Sequence, residues 1–251
     1  MKVALVCIAK NEENYIEEWI DYNFKLGFDD IFIYENDWRC SVERENLHKL
    51  SFDGDAMQVN AYNDFIQAYH KDYDWVAFFD VDEFLVLKKH SDVKKFINDY
   101  RDFYAIGINW VLFGDNGLSF EGNYSVLSRF TKRQIGVNEH VKCIVRMHPK
   151  IKYEIHNPRN LIIVDSNFNT FTGPFNPKGD DKIVQLNHYL CKTFDEWENK
   201  KNRGRADIYV DHHLHTRPDS DFQRHNFNEI EDKNALNVYY GKVFKFPRYL
   251  L

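Results

Sequence analysis

Unbroken apolar runs alternate with stretches whose apolar positions recur every three or four residues, and this alternation fills the first hundred residues. Val3 to Ala9 is wholly apolar, the pattern of a strand covered on both faces. Glu12 to Leu26 follows with Ile16, Trp19, Ile20 and Asn23 at helical spacing and Gly27 to close it. Ile31 to Tyr34 predicts a second strand, and Ser41 is placed to cap a short helix bearing Leu47 and Leu50. Met57 to Ala61 predicts a third strand, Asn63 to Tyr73 a helix with Phe65, Ile66 and Tyr69 inward, and Trp75 to Phe79 a fourth strand. Ser91 is placed to cap a helix holding Val93, Phe96, Ile97 and Tyr100. Ala105 to Phe113 then reads as a strand ending in the loop Gly114-Asp115-Asn116-Gly117.

Beyond this point the alternation weakens into short strands and long loops. Val141 to Arg146, Leu161 to Val164 and Ile183 to Asn187 are strand-like, and Asn169 to Asp181, with two Gly and two Pro, reads as a loop placed to cover a substrate. Thr193-Phe194-Asp195-Glu196 is a capping box that opens a helix stopping at Gly204. The pattern implies an α/β fold with a mixed, mainly parallel sheet flanked by helices, and ligand at the carboxyl ends of the strands. Ala9 to Glu12, Tyr34 to Asp37 and Asp80 to Glu83 then share one rim. We expect one domain over residues 1–251: a nucleotide-binding half (1–103), a loop-rich acceptor half (104–215) and a C-terminal tail (216–251).

With 43% hydrophobic and 29% charged residues the chain is globular, and it holds no apolar run long enough to span a membrane. A net charge of −6 argues against a nucleic-acid partner. The four cysteines lack paired spacing and two sit in strand-like runs, so free thiols and a cytoplasmic location are expected.

The chemistry concentrates in Asp74-Trp75-Val76-Ala77-Phe78-Phe79-Asp80-Val81-Asp82-Glu83-Phe84. With 24 Asp in 251 residues, roughly two Asp-x-Asp matches arise by chance. Four occur, and only Asp80/Asp82 follows a buried-strand run; those at Asp53, Asp72 and Asp219 lie in polar sequence. Carboxylates at such a strand end suit Mg²⁺ or Mn²⁺ carrying a phosphate-bearing ligand.

Lys10-Asn11-Glu12 with Tyr15 to Ile20, then Ile33-Tyr34-x-Asn36, the Trp75 to Phe84 run, and Asn187-His188-Tyr189 before Lys200 to Gly204 together resemble one family. Across residues 1–205 the chain resembles bacterial GT-A (Rossmann-like) glycosyltransferases related to families 2 and 92. The resemblance implies transfer of a sugar from a nucleotide-sugar donor, UDP-linked by preference, to a glycan or lipid-linked glycan, with inversion, in surface-polysaccharide or lipopolysaccharide assembly. It implies Mn²⁺ or Mg²⁺ held by Asp80 and Asp82 with a late histidine, His188 preferred and His156 the alternative.

Donor contacts are expected from Ala9, Asn11, Glu12, Tyr34, Asn36, Asp80, Lys142 and Arg203, and acceptor contacts from Trp110, Phe113 and Gly114. Arg146, on the same strand face as Lys142, and Arg205, beside Gly204, are further candidates to meet a diphosphate. Asp115 and Glu139 are the candidate bases for an acceptor hydroxyl. The run Asp211-His212-His213-Leu214-His215 reads as surface, because its spacing does not converge three imidazoles. Residues 238–251, aromatic and basic, suit a membrane interface at the inner face of the cell membrane, or packing on their own domain or on a second subunit of a homodimer. Two other readings fit parts of the pattern: a haloacid-dehalogenase-like phosphohydrolase with Asp80 as nucleophile, and a catalytically inactive glycosyltransferase-fold binding module.

Overall fold

Seven consecutive buried residues, Val3–Ala9, form β1, and both faces of that strand are covered. The computed structural model describes residues 1–119, 125–159 and 161–241. In chain order β1 is followed by α1 (Ile16–Leu26), β2 (Asp30–Glu35), β3 (Leu47–Ser51), α2 (Gln58–Tyr69), β4 (Trp75–Phe78), β5 (Glu83–Leu87), α3 (Val93–Asp99) and β6 (Ala105–Leu112). Then come α4 (Val126–Arg129), β7 (Lys132–Arg133), β8 (Val141–Arg146), β9 (Ile163–Val164), β10 (Thr170–Phe171), β11 (Val184–His188), α5 (Phe194–Arg203), α6 (Asp219–His225), β12 (Ile230–Glu231) and α7 (Asn234–Tyr239).

The main sheet runs β10-β9-β6-β8-β4-β1-β2-β3, with β11 and β5 branching from β6. Strands β3, β2, β1 and β4 are mutually parallel, whereas β8 runs antiparallel between β4 and β6. Side chains of β1 alternate between two cores. Val3, Leu5 and Cys7 pack with Trp19 and Ile20 of α1 and Phe96 of α3. Ala4, Val6 and Ile8 pack with Phe65 and Ile66 of α2. Two covered faces leave no polar position in the strand, which is why the run is unbroken. The α/β architecture with a mixed, mainly parallel sheet is the one the sequence predicts.

Several local expectations are corrected. No helix follows Ser41: Leu47–Ser51 pairs with β2 as an edge strand, Ile31 opposite Leu47 through Glu35 opposite Ser51. Met57 to Ala61 is not a strand. Met57, Val59 and Ala61 alternate, but Ala61, Tyr62, Phe65 and Ile66 make one buried helical stripe, and the stripe prevails. The cap of α3 is Asp92, whose Oδ1 accepts from Lys95 N–H at 2.8 Å, not Ser91. Strand β5, directly after the carboxylates, was not expected. The loop around Asn169 to Asp181 is sealed onto β6: Asn109 and Asn176 exchange hydrogen bonds of 2.9 and 3.2 Å. A Cβ on Gly179 would meet Asn109 Oδ1 at 1.9 Å, so this loop is pinned and does not cover the cavity described below.

Candidate active site

Strand β4 delivers the chain to Asp80, and the turn through Asp82 returns it as β5. Glu83 closes that turn: its Oε2 accepts from Asp80 N–H at 2.8 Å, and its own N–H donates to the Asp80 carbonyl at 2.9 Å. Asp80 is held from three sides. Its Oδ1 accepts from Gln58 Nε2 at 3.0 Å and from the Tyr62 hydroxyl at 3.1 Å, and its Oδ2 accepts from Lys142 Nζ at 2.9 Å. Lys142 is fully buried between Asp80 and Glu83. Burial alone would depress its ammonium, but Asp80 and then Glu83 outweigh it and raise Lys142 above its ordinary value. Burial pushes the Glu83 carboxyl well up, against the pull of Lys142, and its Oε1 is a buried atom without a hydrogen-bond partner.

Asp82 meets a second group of residues. Strand β11 pairs with β5, setting His188 opposite Glu83, and with the far half of β6, setting Leu186 opposite Trp110. His188 Nε2 lies 3.6 Å from Asp82 Oδ2, and the same oxygen forms an ion pair with Lys200 of α5. Burial would raise Asp82; Lys200, His188 and Lys192 outweigh it and hold the carboxyl well below its usual range. Burial takes Lys200 down to about 8 despite Asp82, and His188 below its ordinary value.

Helix α5 is anchored at its start. Thr193 and Glu196 form the expected capping box, and Glu196 accepts a two-pronged ion pair from Arg129 at 2.9 and 2.6 Å. The Tyr15 hydroxyl donates to Glu196 Oε1 at 2.8 Å. The last turn of α5 then presents Lys200 and Arg203, where cations also suit the helix dipole.

These groups share a cavity of about 420 Å³ at the carboxyl ends of β1, β2 and β4. Ala9, Glu12 and Asn36 line one side, with Asn36 Nδ2 donating to the Phe52 and Gly54 carbonyls at 3.0 and 2.8 Å. Lys200, Arg203, Arg205 and Arg217 line another. Trp110, His140, His156 and His188 form a ring cluster at a third: Trp110 stacks on His140 at 5.0 Å and meets His188 at 4.3 Å between centroids. His156 is kept neutral, taken down to about 2 by burial and then by the Lys142 charge.

Of the residues singled out in the sequence as ligands, Ala9, Glu12, Asn36, Asp80, Asp82, Trp110, His156, His188, Arg203 and Arg205 line this cavity. The rest do not. Asn11 is exposed with a positive φ of 51° and borders a second, polar hollow. Tyr34 is buried, donating to Asp64 at 2.8 Å, and Phe113 packs in the core against Tyr189. Lys142 stands behind Asp80, and Arg146, expected on the same face, lies over Trp75 and Tyr104. Gly114 is packed under Asn226, Phe227 and Asn228, and Asp115 accepts from Asn226 and Asn228 at 2.8 and 3.0 Å. Glu139 borders a separate surface hollow with Gln134 and Phe175. Conversely Gln58, Tyr62, Lys200, His140 and Arg217 join the site without having been singled out as ligands. His215, expected at the surface, lines the cavity against Gly204.

Among the described residues no three His, Cys, Asp and Glu side chains already converge on a metal-sized point. The chemistry of the donor set nevertheless suits a divalent cation. Asp82 Oδ2 and His188 Nε2 stand 3.6 Å apart, and this carboxylate and imidazole are the groups that would hold such a cation. Asp80 is already held by three donors, from Gln58, Tyr62 and Lys142. In this structure the positive charge on Asp82 is that of Lys200.

A model of glycosyltransferase family 92 matches residues 41–224. A family 92 protein of Arabidopsis thaliana is 23% identical over 224 residues, covering 80% of this chain and 37% of the relative. One of Oryza sativa subsp. japonica is 24% identical over 278 residues, covering 98% and 46%. The chain thus spans less than half the length of these relatives. Among solved structures, S. aureus TarS 1-349 aligns with a TM-score of 0.38 at 12% identity, covering 99% of this chain and 73% of that one. Glucosyl-3-phosphoglycerate synthase from Mycobacterium tuberculosis, complexed with Mn²⁺, UDP and phosphoglyceric acid, aligns with a TM-score of 0.30 at 14% identity, covering 43% of each. Both structural likenesses are too distant to carry a residue or a ligand across. The family match covers most of the sequence and includes the Asp80 to Glu83 turn, His188 and the whole of α5: this chain belongs to glycosyltransferase family 92.

Proposed function

We propose that the protein is a cation-dependent GT-A glycosyltransferase that moves a sugar, with inversion, from a nucleotide-sugar donor to a hydroxyl of a glycan or lipid-linked glycan. The observation that carries this reading is the junction of Asp82, His188 and Lys200 at the floor of a cavity whose next wall is Arg203, Arg205 and Arg217. A leaving nucleoside diphosphate gains negative charge on its β-phosphate as the sugar departs, and fixed positive groups lining the cavity stabilise that charge. Mn²⁺ or Mg²⁺ held by Asp82 and His188 would supply Lewis-acid neutralisation at the same oxygen. Until a cation takes its place, Lys200 holds the Asp82 carboxylate ionised, and Glu83 fixes the turn that presents it.

The side formed by Ala9, Glu12 and Asn36 takes the nucleoside, with Asn11 and Tyr34 supporting the same strand ends. Trp110 and the imidazoles around it take the acceptor sugar, backed by Phe113 and Gly114. For the base, Asp115 is occupied by Asn226 and Asn228, and Glu139 borders a different hollow. This reading assigns the role to Asp221 of α6, which unlike those two lines the cavity and whose carboxylate pairs with Arg224 one turn further along the same helix. UDP is the favoured nucleotide. Bacterial surface-polysaccharide assembly in the cytoplasm, at the inner face of the membrane, remains the pathway the motifs suggest, although the curated relatives described above are plant proteins. No helix among the described residues is long and apolar enough to cross a membrane. A peripheral membrane or homodimer contact through residues 238–251 belongs to the same proposal, with 242–251 outside the described residues.

The test is turnover. Nucleoside diphosphate released from one of a panel of nucleotide sugars, only with a glycan acceptor present and lost in Asp82→Asn, supports the reading. Phosphate released from a generic phosphoester, with no nucleotide sugar consumed, would favour the phosphohydrolase instead. Donor binding with no turnover on any acceptor would favour the inactive module.

A further inference from the structure

Five lysines and arginines line the cavity, and four of them have a carboxylate at ion-pair distance. Lys10 pairs with Asp37 at 2.9 Å, Lys200 with Asp82, Arg203 with Glu12 at 2.5 Å, and Arg205 with Asp207 at 2.9 Å. Arg217 differs. Among the described residues it has no ion pair, and its hydrogen bond to the Gly204 carbonyl is long, at 3.5 Å. It is partly buried, and burial, then Arg205 and Arg203, push its guanidinium below its ordinary value. Asp82 and Asp207 attract it only from beyond ion-pair distance, and a partly buried cation with no acid in contact is a costly arrangement unless an anion completes it.

Its position is held by the chain that precedes it. Residues 205–217 leave α5 at Gly204, which has a φ of +82°. His215 folds back against that glycine so closely that a Cβ there would meet its Nε2 at 1.8 Å. The other ring nitrogen, Nδ1, is 2.9 Å from the Ile208 carbonyl, and Arg205 pairs with Asp207 within the same stretch. Residues 205–217 therefore form a strap pinned across the end of α5, with Val210, His215 and Arg217 turned to the cavity.

We infer that Arg217 is the residue that binds the diphosphate of the donor, the strap serving to hold its guanidinium beside Lys200 and Arg203. A guanidinium presents paired N–H donors that match phosphate oxygens two at a time, which Lys200 does not offer. The inference rests on the donor reading above and deepens it, because it names the group that distinguishes a nucleoside diphosphate from a monophosphate. Arg217 acts on the anion alone and leaves the nucleoside to the side of the cavity formed by Ala9 and Asn36.

The experiment is calorimetric titration of UDP and of UMP, with Mn²⁺ present, into the wild type, Arg217→Gln and Arg217→Lys, after confirming by thermal melting that each variant is folded. Loss of a charged, two-pronged contact should weaken UDP binding on the order of ten-fold to a hundred-fold in Arg217→Gln. UMP should change by less than about two-fold, because its single phosphate does not reach the second pair of oxygens. Arg217→Lys should fall between, retaining charge without the fork. Equal losses for UDP and UMP, or an unchanged ratio between them, would overturn the inference while leaving the donor reading intact. A wild type that binds neither nucleotide would overturn the donor reading and this assignment with it.

Discussion

Replacing Lys200 by Met removes the ammonium from Asp82 while keeping most of the buried methylene volume, so the change isolates the charge. The side chains are 12% and 8% exposed, which places the pair among buried ion pairs. Removing one member of such a pair costs about 3–5 kcal/mol, because the remaining charge is left uncompensated. His188 Nε2 stands 3.6 Å from the same oxygen and takes up part of the loss, so the expected cost is at the low end. At about 2–4 °C per kcal/mol for a chain of this size, a cost of about 3 kcal/mol lowers the melting temperature by about 6–12 °C. A divalent cation should substitute for the missing ammonium. Mn²⁺ at about a hundred times its dissociation constant would return about 2.7 kcal/mol, close to the whole deficit. In the wild type the cation must first displace Lys200, so its effect without nucleotide should be smaller. The assay is thermal or denaturant unfolding of both proteins with and without Mn²⁺. A variant as stable as the wild type, or a Mn²⁺ shift no larger in the variant, would refute the reasoning.

Three other outcomes are expected. Arg129→Met should cost about 3–5 kcal/mol in denaturant unfolding by stranding Glu196, whereas the double change Arg129→Met/Glu196→Met should recover much of that loss. Glu196 is held down to about 2, so its contribution is complete above its unfolded value of 4.5 and is lost as pH falls through about 2. His156, also taken down to about 2, stays neutral while the unfolded chain protonates near 6.5. Stability should therefore fall as pH drops below 6.5, by at most about 1.4 kcal/mol per pH unit from this group, and His156→Gln should flatten the slope between about pH 6.5 and 5. Gly204→Ala should cost about 1–3 kcal/mol and weaken UDP binding, because the new methyl meets His215 and disturbs the strap; unchanged unfolding and UDP titration would count against that role.

The sheet was legible where burial leaves one solution. Val3–Ala9 and Trp75–Phe78 are covered on both faces, so an unbroken apolar run carries the strand signal without ambiguity. Asp80 and Asp82 were legible for the same reason, being carboxylates in the turn that such a run leads into. The misreadings fall where one face is solvent-exposed or where two periods compete. Leu47–Ser51 alternates poorly because it is an edge strand, and its pairing with β2 decides its form. Gln58–Tyr69 begins with residues that also alternate, and only the inward set Ala61, Tyr62, Phe65 and Ile66 fixes the helix. His188 was legible as a strand-end histidine after an apolar run. Lys200 as the counter-ion of Asp82, Tyr62 and Gln58 as donors to Asp80, and Arg217 on its strap were not. Each meets the site across a long sequence separation, 118 residues in the case of Lys200, which no local period encodes. Lys142 illustrates the opposite limit: its strand and face were readable, but its burial behind Asp80 follows from β8 lying against β4.

The most direct test of the central claim is the thermal shift produced by Mn²⁺ with UDP, set against a panel of other nucleotides, in the wild type and in Asp82→Ala. The account requires a rise in melting temperature that needs both the cation and a nucleoside diphosphate and disappears in the variant. A nucleotide shift of the same size without Asp82, or no shift with any nucleotide, would contradict it.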